Sequence, residues 1–181
     1  MTEETTMGQG FNFVEDVPDQ KKLKGELTYR VIKHFTDGTQ RVIEEFTQKN
    51  LIVDLARVTM AHLVAGDVTN IVDGETKGRH ITQIGFGTSD AEPELGDTTL
   101  EDPFMKDLDG HEYPEDGRVQ FNWSLGRNEG NGTMIAEFGL FSEDGSLFAR
   151  RRREDPETGE ALPPIPKFAD ISLEGKWTII Y

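Results

Sequence analysis

The sequence predicts a mainly β protein: an antiparallel β-sandwich of about seven strands with one α-helix packed on it. Three observations lead there. Val119, Phe121, Trp123 and Leu125 alternate with Arg118, Gln120, Asn122 and Ser124, the pattern of a half-buried strand. The stretch Asn131–Arg150 (NGTMIAEFGLFSEDGSLFAR) holds two apolar runs broken by turn signals, which reads as strand, turn, strand. Helical spacing is convincing at one place only, between Asn50 and Gly66.

The elements follow in order. Residues 1–24 are polar and acidic, and Phe11, Phe13, Val14 and Val17 are their apolar anchors. They are expected to form a flexible acidic arm, with Phe11 and Phe13 as candidate contacts to a neighbouring subunit. Leu27, Tyr29 and Val31 alternate with polar neighbours, and Phe35 continues their face. Asp37-Gly38 marks a hairpin, with Arg41–Phe46 as the return strand. Ile52, Leu55, Ala56, Met60, Leu63 and Val64 fall on one helical face, opposite Asp54, Arg57 and His62. With Asn50 as N-cap and Gly66 as terminator, the expected helix covers residues 51–65 and lies on the sheet.

His80–Gly87 is a short strand. Residues 88–117 then carry eleven acidic side chains against the single lysine Lys106, with Pro93, Pro103 and Pro114 breaking regular structure. A long acidic loop is expected there. After the Asn131–Arg150 hairpin come four consecutive arginines, Arg150, Arg151, Arg152 and Arg153, and a Pro-rich loop from Glu154 to Pro166. The chain closes on a strand in which Ile171, Leu173, Trp177, Ile179 and Tyr181 share one parity. The organisation predicted is an arm, residues 1–24, and one β-sandwich domain, residues 25–181.

Composition narrows the function classes. The chain has 181 residues, no cysteine and a net charge of −15. A field of that sign repels phosphate backbones, so nucleic acid is not an expected partner. Without cysteine there is no disulfide framework, thiolate metal site or cysteine nucleophile. No apolar run approaches the ~20 residues that span a bilayer. Residues 1–10 lack the basic start and apolar stretch of a secretory leader, so synthesis in the cytoplasm without export is expected.

Reactive motifs are missing. There is no GxSxG elbow, SxxK or P-loop, and Gly85-Phe86-Gly87 is too short for a dinucleotide fingerprint. His34, His62, His80 and His111 lie far apart in sequence, without zinc spacing. Asp107–Glu112 has the flavour of a calcium loop, but Gly110 falls two residues early for an EF-hand, which leaves weak calcium binding as an alternative. The arginine run is expected to form salt bridges within or between subunits, since a strand sends alternate side chains to opposite faces. Trp123 and Trp177 fall on apolar parity and are expected in the core; exposed, they would suggest a glycan platform.

As a set, the hairpin, the helix opened by Lys49-Asn50-Leu51-Ile52, the stretch Ile81–Thr88 (ITQIGFGT), Asp97-Thr98-Thr99-Leu100, the NGTMIAEFGLFSEDGSLFAR block and the closing KWTIIY resemble small structural proteins of tailed bacteriophages. The likeness is to tail, baseplate or fibre-attachment components and covers roughly residues 26–181. The acidic expansion at Asp107–Asp116 and the four arginines depart from it. The resemblance implies a non-enzymatic virion component, made in the host cytoplasm and without a cofactor. It would act through self-association, as a trimer or hexamer, and through contacts with other virion proteins. Phe11, Phe13, Asn131, Ile135, Phe138, Phe141 and Arg150–Arg153 are the candidate assembly contacts. A capsid decoration or head-fibre protein, and a β module binding a host glycan or calcium, are the alternatives.

Overall fold

The computed structural model describes residues 23–181, so residues 1–22 of the predicted arm, with Phe11 and Phe13, lie outside the described residues, and the arm's last residue, Lys24, already belongs to a strand. The protein is mainly β with one helix. Its elements are β1 (Lys24–His34), β2 (Gln40–Ile52), α1 (Asp54–Ala65), β3 (Thr69–Val72), β4 (Glu75–Gly78), β5 (Ile81–Gly87), β6 (Phe104–Asp107), β7 (Gly110–Glu112), β8 (Arg118–Leu125), β9 (Met134–Ile135), β10 (Glu137–Ser142), β11 (Leu147–Arg152), β12 (Ile165–Pro166) and β13 (Ile171–Ile180).

Nine strands form a single antiparallel sheet in the order β6-β5-β10-β11-β2-β1-β13-β8-β7, curled into a half-barrel. This differs from the seven-stranded sandwich expected. The short strands β3, β4, β6, β7, β9 and β12 carry too little apolar alternation to be read from sequence. The sheet has two limbs, β2-β1-β13-β8-β7 and β6-β5-β10-β11. They are joined where Ala149 pairs with Ile52 and Arg150 with Leu51. Beyond those two pairs β11 and β2 part, and side chains fill the gap.

The core lies between the limbs. Tyr29 packs on Phe138 with ring centroids 4.8 Å apart, and Trp123 meets Phe86 edge-on at 5.4 Å. Trp123 and Trp177 are 2 % and 0 % exposed, which removes both as a glycan platform. Every residue of β10 is buried. One face joins the core; the other is covered by a second apolar cluster of Val53, Leu100, Phe141 and Leu147, with Leu55 and Met105 against it. Leu100 comes from the acidic stretch, so that stretch roofs the four-stranded limb and is not a free loop. It also contains β6 and β7.

The segment 104–112 closes the open side of the half-barrel. Its first half pairs with β5 and its second with β8. Between them Leu108 N–H donates to Thr82 O and Asp109 N–H to Asn122 O, both at 2.9 Å. One short run of chain therefore stitches the two sheet edges together.

Helix α1 starts three residues later than expected. Asn50, Leu51 and Ile52 belong to β2, and the residue before the helix is Val53, which has no capping side chain. Ladder bonds to β1 and β11 hold that stretch extended, and the Asn50 side chain is engaged elsewhere. Gly66 ends the helix as predicted, at φ 88°, with N–H groups of the turn returning to Leu63 O and His62 O. Only Ala56 and Thr59 of α1 are buried, and Val64 is 91 % exposed, so the apolar stripe is narrower than its spacing suggests. The β3–β4 hairpin, absent from the elements expected on sequence, turns at Asp73-Gly74, both at positive φ (51° and 82°), the geometry of the primed turns that favour Asp-Gly.

Candidate functional site

The four arginines sit where β11 leaves β2, and their side chains alternate as a strand requires. Arg150 points into the roof. Its Nε donates to Glu137 Oε2 and its Nη1 to Asp97 Oδ2, each at 2.6 Å, and its Nη2 reaches Ala91 O at 3.3 Å. Glu137, fully buried, also accepts from the main-chain N–H of Glu101 (2.8 Å) and of Ser89 (3.3 Å). Burial disfavours the Arg150 charge, but the bonds to Asp97 and Glu137 outweigh it and hold the guanidinium above its ordinary pKa. A buried carboxylate and a buried guanidinium thus clamp the acidic stretch onto the sheet.

Arg153 fills the gap on the core side. It bonds Glu44 and Pro163 O, and its Nε lies 3.3 Å from the Tyr29 hydroxyl. Burial pushes the Tyr29 hydroxyl up to about 12, against the opposing pull of Arg153. Arg151 bonds Gln48 (3.3 Å) and Glu154; Arg152 bonds Glu154 (3.0 Å), Gly159 O (2.9 Å) and Asp90 O (3.2 Å). All four arginines find their partners inside the chain.

Five of the ten predicted assembly contacts are buried within the domain. Ile135, Phe138 and Phe141 are 0 %, 1 % and 3 % exposed and form core, and Arg150 and Arg153 are buried in ion pairs. Asn131 is exposed, but its Oδ1 accepts from Lys167 Nζ at 2.9 Å. Lys167 is fully buried, and its other acceptors are the carbonyls of Arg127 and Phe168, both at 3.3 Å. Burial holds its ammonium below the ordinary lysine range, with Glu129 and Asp170 opposing. It fastens the turn at residues 126–132 to β12.

A groove of about 720 Å³ opens at the end of the half-barrel where α1 lies. Met60 and Leu63 of α1 form one wall, Ile81 and Phe148 the floor, and Val119 and Phe121 of β8 the other wall. Tyr113 and Tyr181 stand at the rim, 74 % and 57 % exposed. His111 packs edge-on against Tyr113 at 5.6 Å. Burial, and then the neighbouring Tyr113, raise the Tyr181 hydroxyl above its ordinary pKa. Tyr181 was expected in the core on parity; it follows the last ladder residue, Ile180, and projects at the mouth. Tyr113 was missed, although an aromatic in so polar a stretch was a signal.

His80 and His111, distant in sequence, both line this groove. Among the described residues no group of three or more His, Asp or Glu side chains is placed to hold a metal ion. Asp107 and Asp109, from the calcium-like stretch, are instead part of the stitch between sheet edges, where Asp107 accepts from Gln83 at 3.0 Å. Comparison with protein-family models, with curated proteins and with solved structures returns no match for the chain.

Proposed function

We propose that the chain is a non-enzymatic structural protein that acts by assembly, a virion component of the tail, baseplate or fibre-attachment kind its sequence resembles. The observation that carries this reading is the free hairpin end of β1 and β2. Beyond Leu51 no strand pairs with the outer side of β2 among the described residues. Around that edge Phe35, Val42, Ile43 and Phe168 are 46 %, 42 %, 53 % and 55 % exposed. Ile43 and Phe168 share a shallow apolar depression with Pro163, Pro164 and Pro166. An uncovered strand edge flanked by apolar side chains is a template for pairing with another chain. The expected contact surface therefore moves from the Asn131–Phe141 strand, which is buried, to this end of the molecule.

Sedimentation velocity of the full chain tests the assembly part. Ile43→Lys and Phe168→Glu should each shift an oligomer toward monomer without lowering the thermal midpoint. A wild-type chain that stays monomeric at all concentrations would count against self-association. Mass spectrometry of virions purified from a phage that encodes the chain tests the location, and absence from the particles would overturn it.

A further inference from the structure

We propose that the groove between α1 and β8 is the seat of residues 11–17 of the same chain, with Phe11 and Phe13 as its anchors. Three observations lead there. The first is the groove itself. Met60, Leu63, Ile81, Val119, Phe121 and Phe148 give it an apolar stretch, bordered by Arg79, His80, His111, Glu115, Asp116 and Arg118, and its volume of about 720 Å³ exceeds what one aromatic side chain fills. The apolar stretch of such a trough is matched by apolar side chains.

The second is where the chain enters. Leu23, the first described residue, packs against the same core cluster as Met60 of the groove wall. Lys24 pairs with Ile180, the neighbour of Tyr181, and Ile180 pairs in turn with Arg118; Tyr181 and Arg118 both line the groove. Adjacent strands lie about 4.8 Å apart, so the chain before Leu23 starts roughly 10 Å from the groove wall.

The third is reach and composition. Nine residues lie between Phe13 and Leu23, and the ten steps from one to the other can extend to roughly 35 Å. That is several times the distance required, so the segment can turn back without strain. Within residues 1–22 the aromatic side chains are Phe11 and Phe13, followed by Val14 and Val17. Attachment to the domain keeps this segment at high effective concentration, which favours its own groove over that of another copy.

The absence of cysteine from the chain gives a clean test. Asn12→Cys combined with Tyr113→Cys, at the groove rim, should form an intrachain disulfide under mild oxidation. The rate should exceed that of Asn12→Cys with Thr36→Cys, at the far hairpin end, by at least about tenfold. Adding Phe11→Ser and Phe13→Ser should bring the first rate down to the second. In the full chain without added cysteines, the Met60 methyl resonance should shift when Phe11 and Phe13 are replaced by Ser. Equal rates for the two pairs, or a rate and a Met60 resonance indifferent to the phenylalanines, would overturn the proposal. Cross-linking into dimers and larger species would overturn it too, by giving the groove to the segment of a second copy.

Discussion

Trp177 and Asn50 are bonded across a strand that lies between them. The indole Nε1–H on β13 donates to Asn50 Oδ1 on β2 at 2.9 Å, passing over β1 at Gly25. A Cβ at Gly25 would run into the Asn50 amide group, so the bond exists because that position has no side chain.

Asn50→Ala should leave a buried indole N–H without a partner and lower the free energy of unfolding by about 1–3 kcal/mol. Gly25→Ala should cost at least as much, because the amide must move and the same bond is lost. The two substitutions combined should be clearly less than additive, since each removes one shared interaction. Urea denaturation of the four proteins checks this.

Glu137→Ala should be among the most damaging single substitutions, at about 3–5 kcal/mol, because it leaves the Arg150 guanidinium buried with Asp97 as its remaining carboxylate. It also removes the acceptor for the main chain at Ser89 and Glu101. Limited proteolysis should then cut within residues 88–101 well before the domain unfolds. Equal protection of that stretch in wild type and variant would show that the apolar cover at Leu100 suffices.

Stability should fall in alkali through Tyr29. Its pKa is about 12 in the folded protein against an ordinary 10.0, so the folded state keeps a proton that the unfolded state releases. The contribution is complete below pH 10 and lost as pH rises through 12. Two pH units correspond to about 3 kcal/mol. Tyr29→Phe should flatten that part of the pH profile, measured as denaturation midpoints between pH 9 and 12.

At the other extreme Asp144 should lend acid sensitivity. Burial pushes its carboxyl up, but bonds from Ser142, Ser146 and Asn70 outweigh this and hold it below its ordinary 3.8. A depressed carboxylate stabilises above its unfolded pKa, and that stability disappears as pH falls through the folded value. Asp144→Asn should be less stable than wild type at neutral pH, by about 1–3 kcal/mol, with the gap closing as the pH drops below 4.

Long elements with strict alternation were legible in the sequence. The strand Arg118–Leu125 stands where its pattern put it, and the closing strand does too, because one face of each meets the core and the other meets water. Short elements were hidden. β6 and β7 lie in a stretch whose acids and prolines mask a pairing decided by the strands on either side. The helix start was misplaced because Asn50 is a good cap by type, yet the ladder had already claimed its backbone. The candidate contacts Phe138 and Phe141 are buried for a related reason: β10 is covered on both faces, and alternation cannot reveal a second cover supplied from residues forty positions away in sequence.

The sequence alone determined the class of this protein, its antiparallel hairpins, its single helix and the sides of Trp123 and Trp177. These follow from local periodicity and turn chemistry, which neighbouring residues carry between them. Only the tertiary structure decided that the strands form one curled sheet, that Arg150–Arg153 are consumed by Glu137, Asp97, Glu44 and Glu154, and that a groove opens between α1 and β8. Those outcomes depend on which distant groups share a desolvated space, where an unpaired charge or amide is costly. Composition counts such groups, but only the fold brings them together.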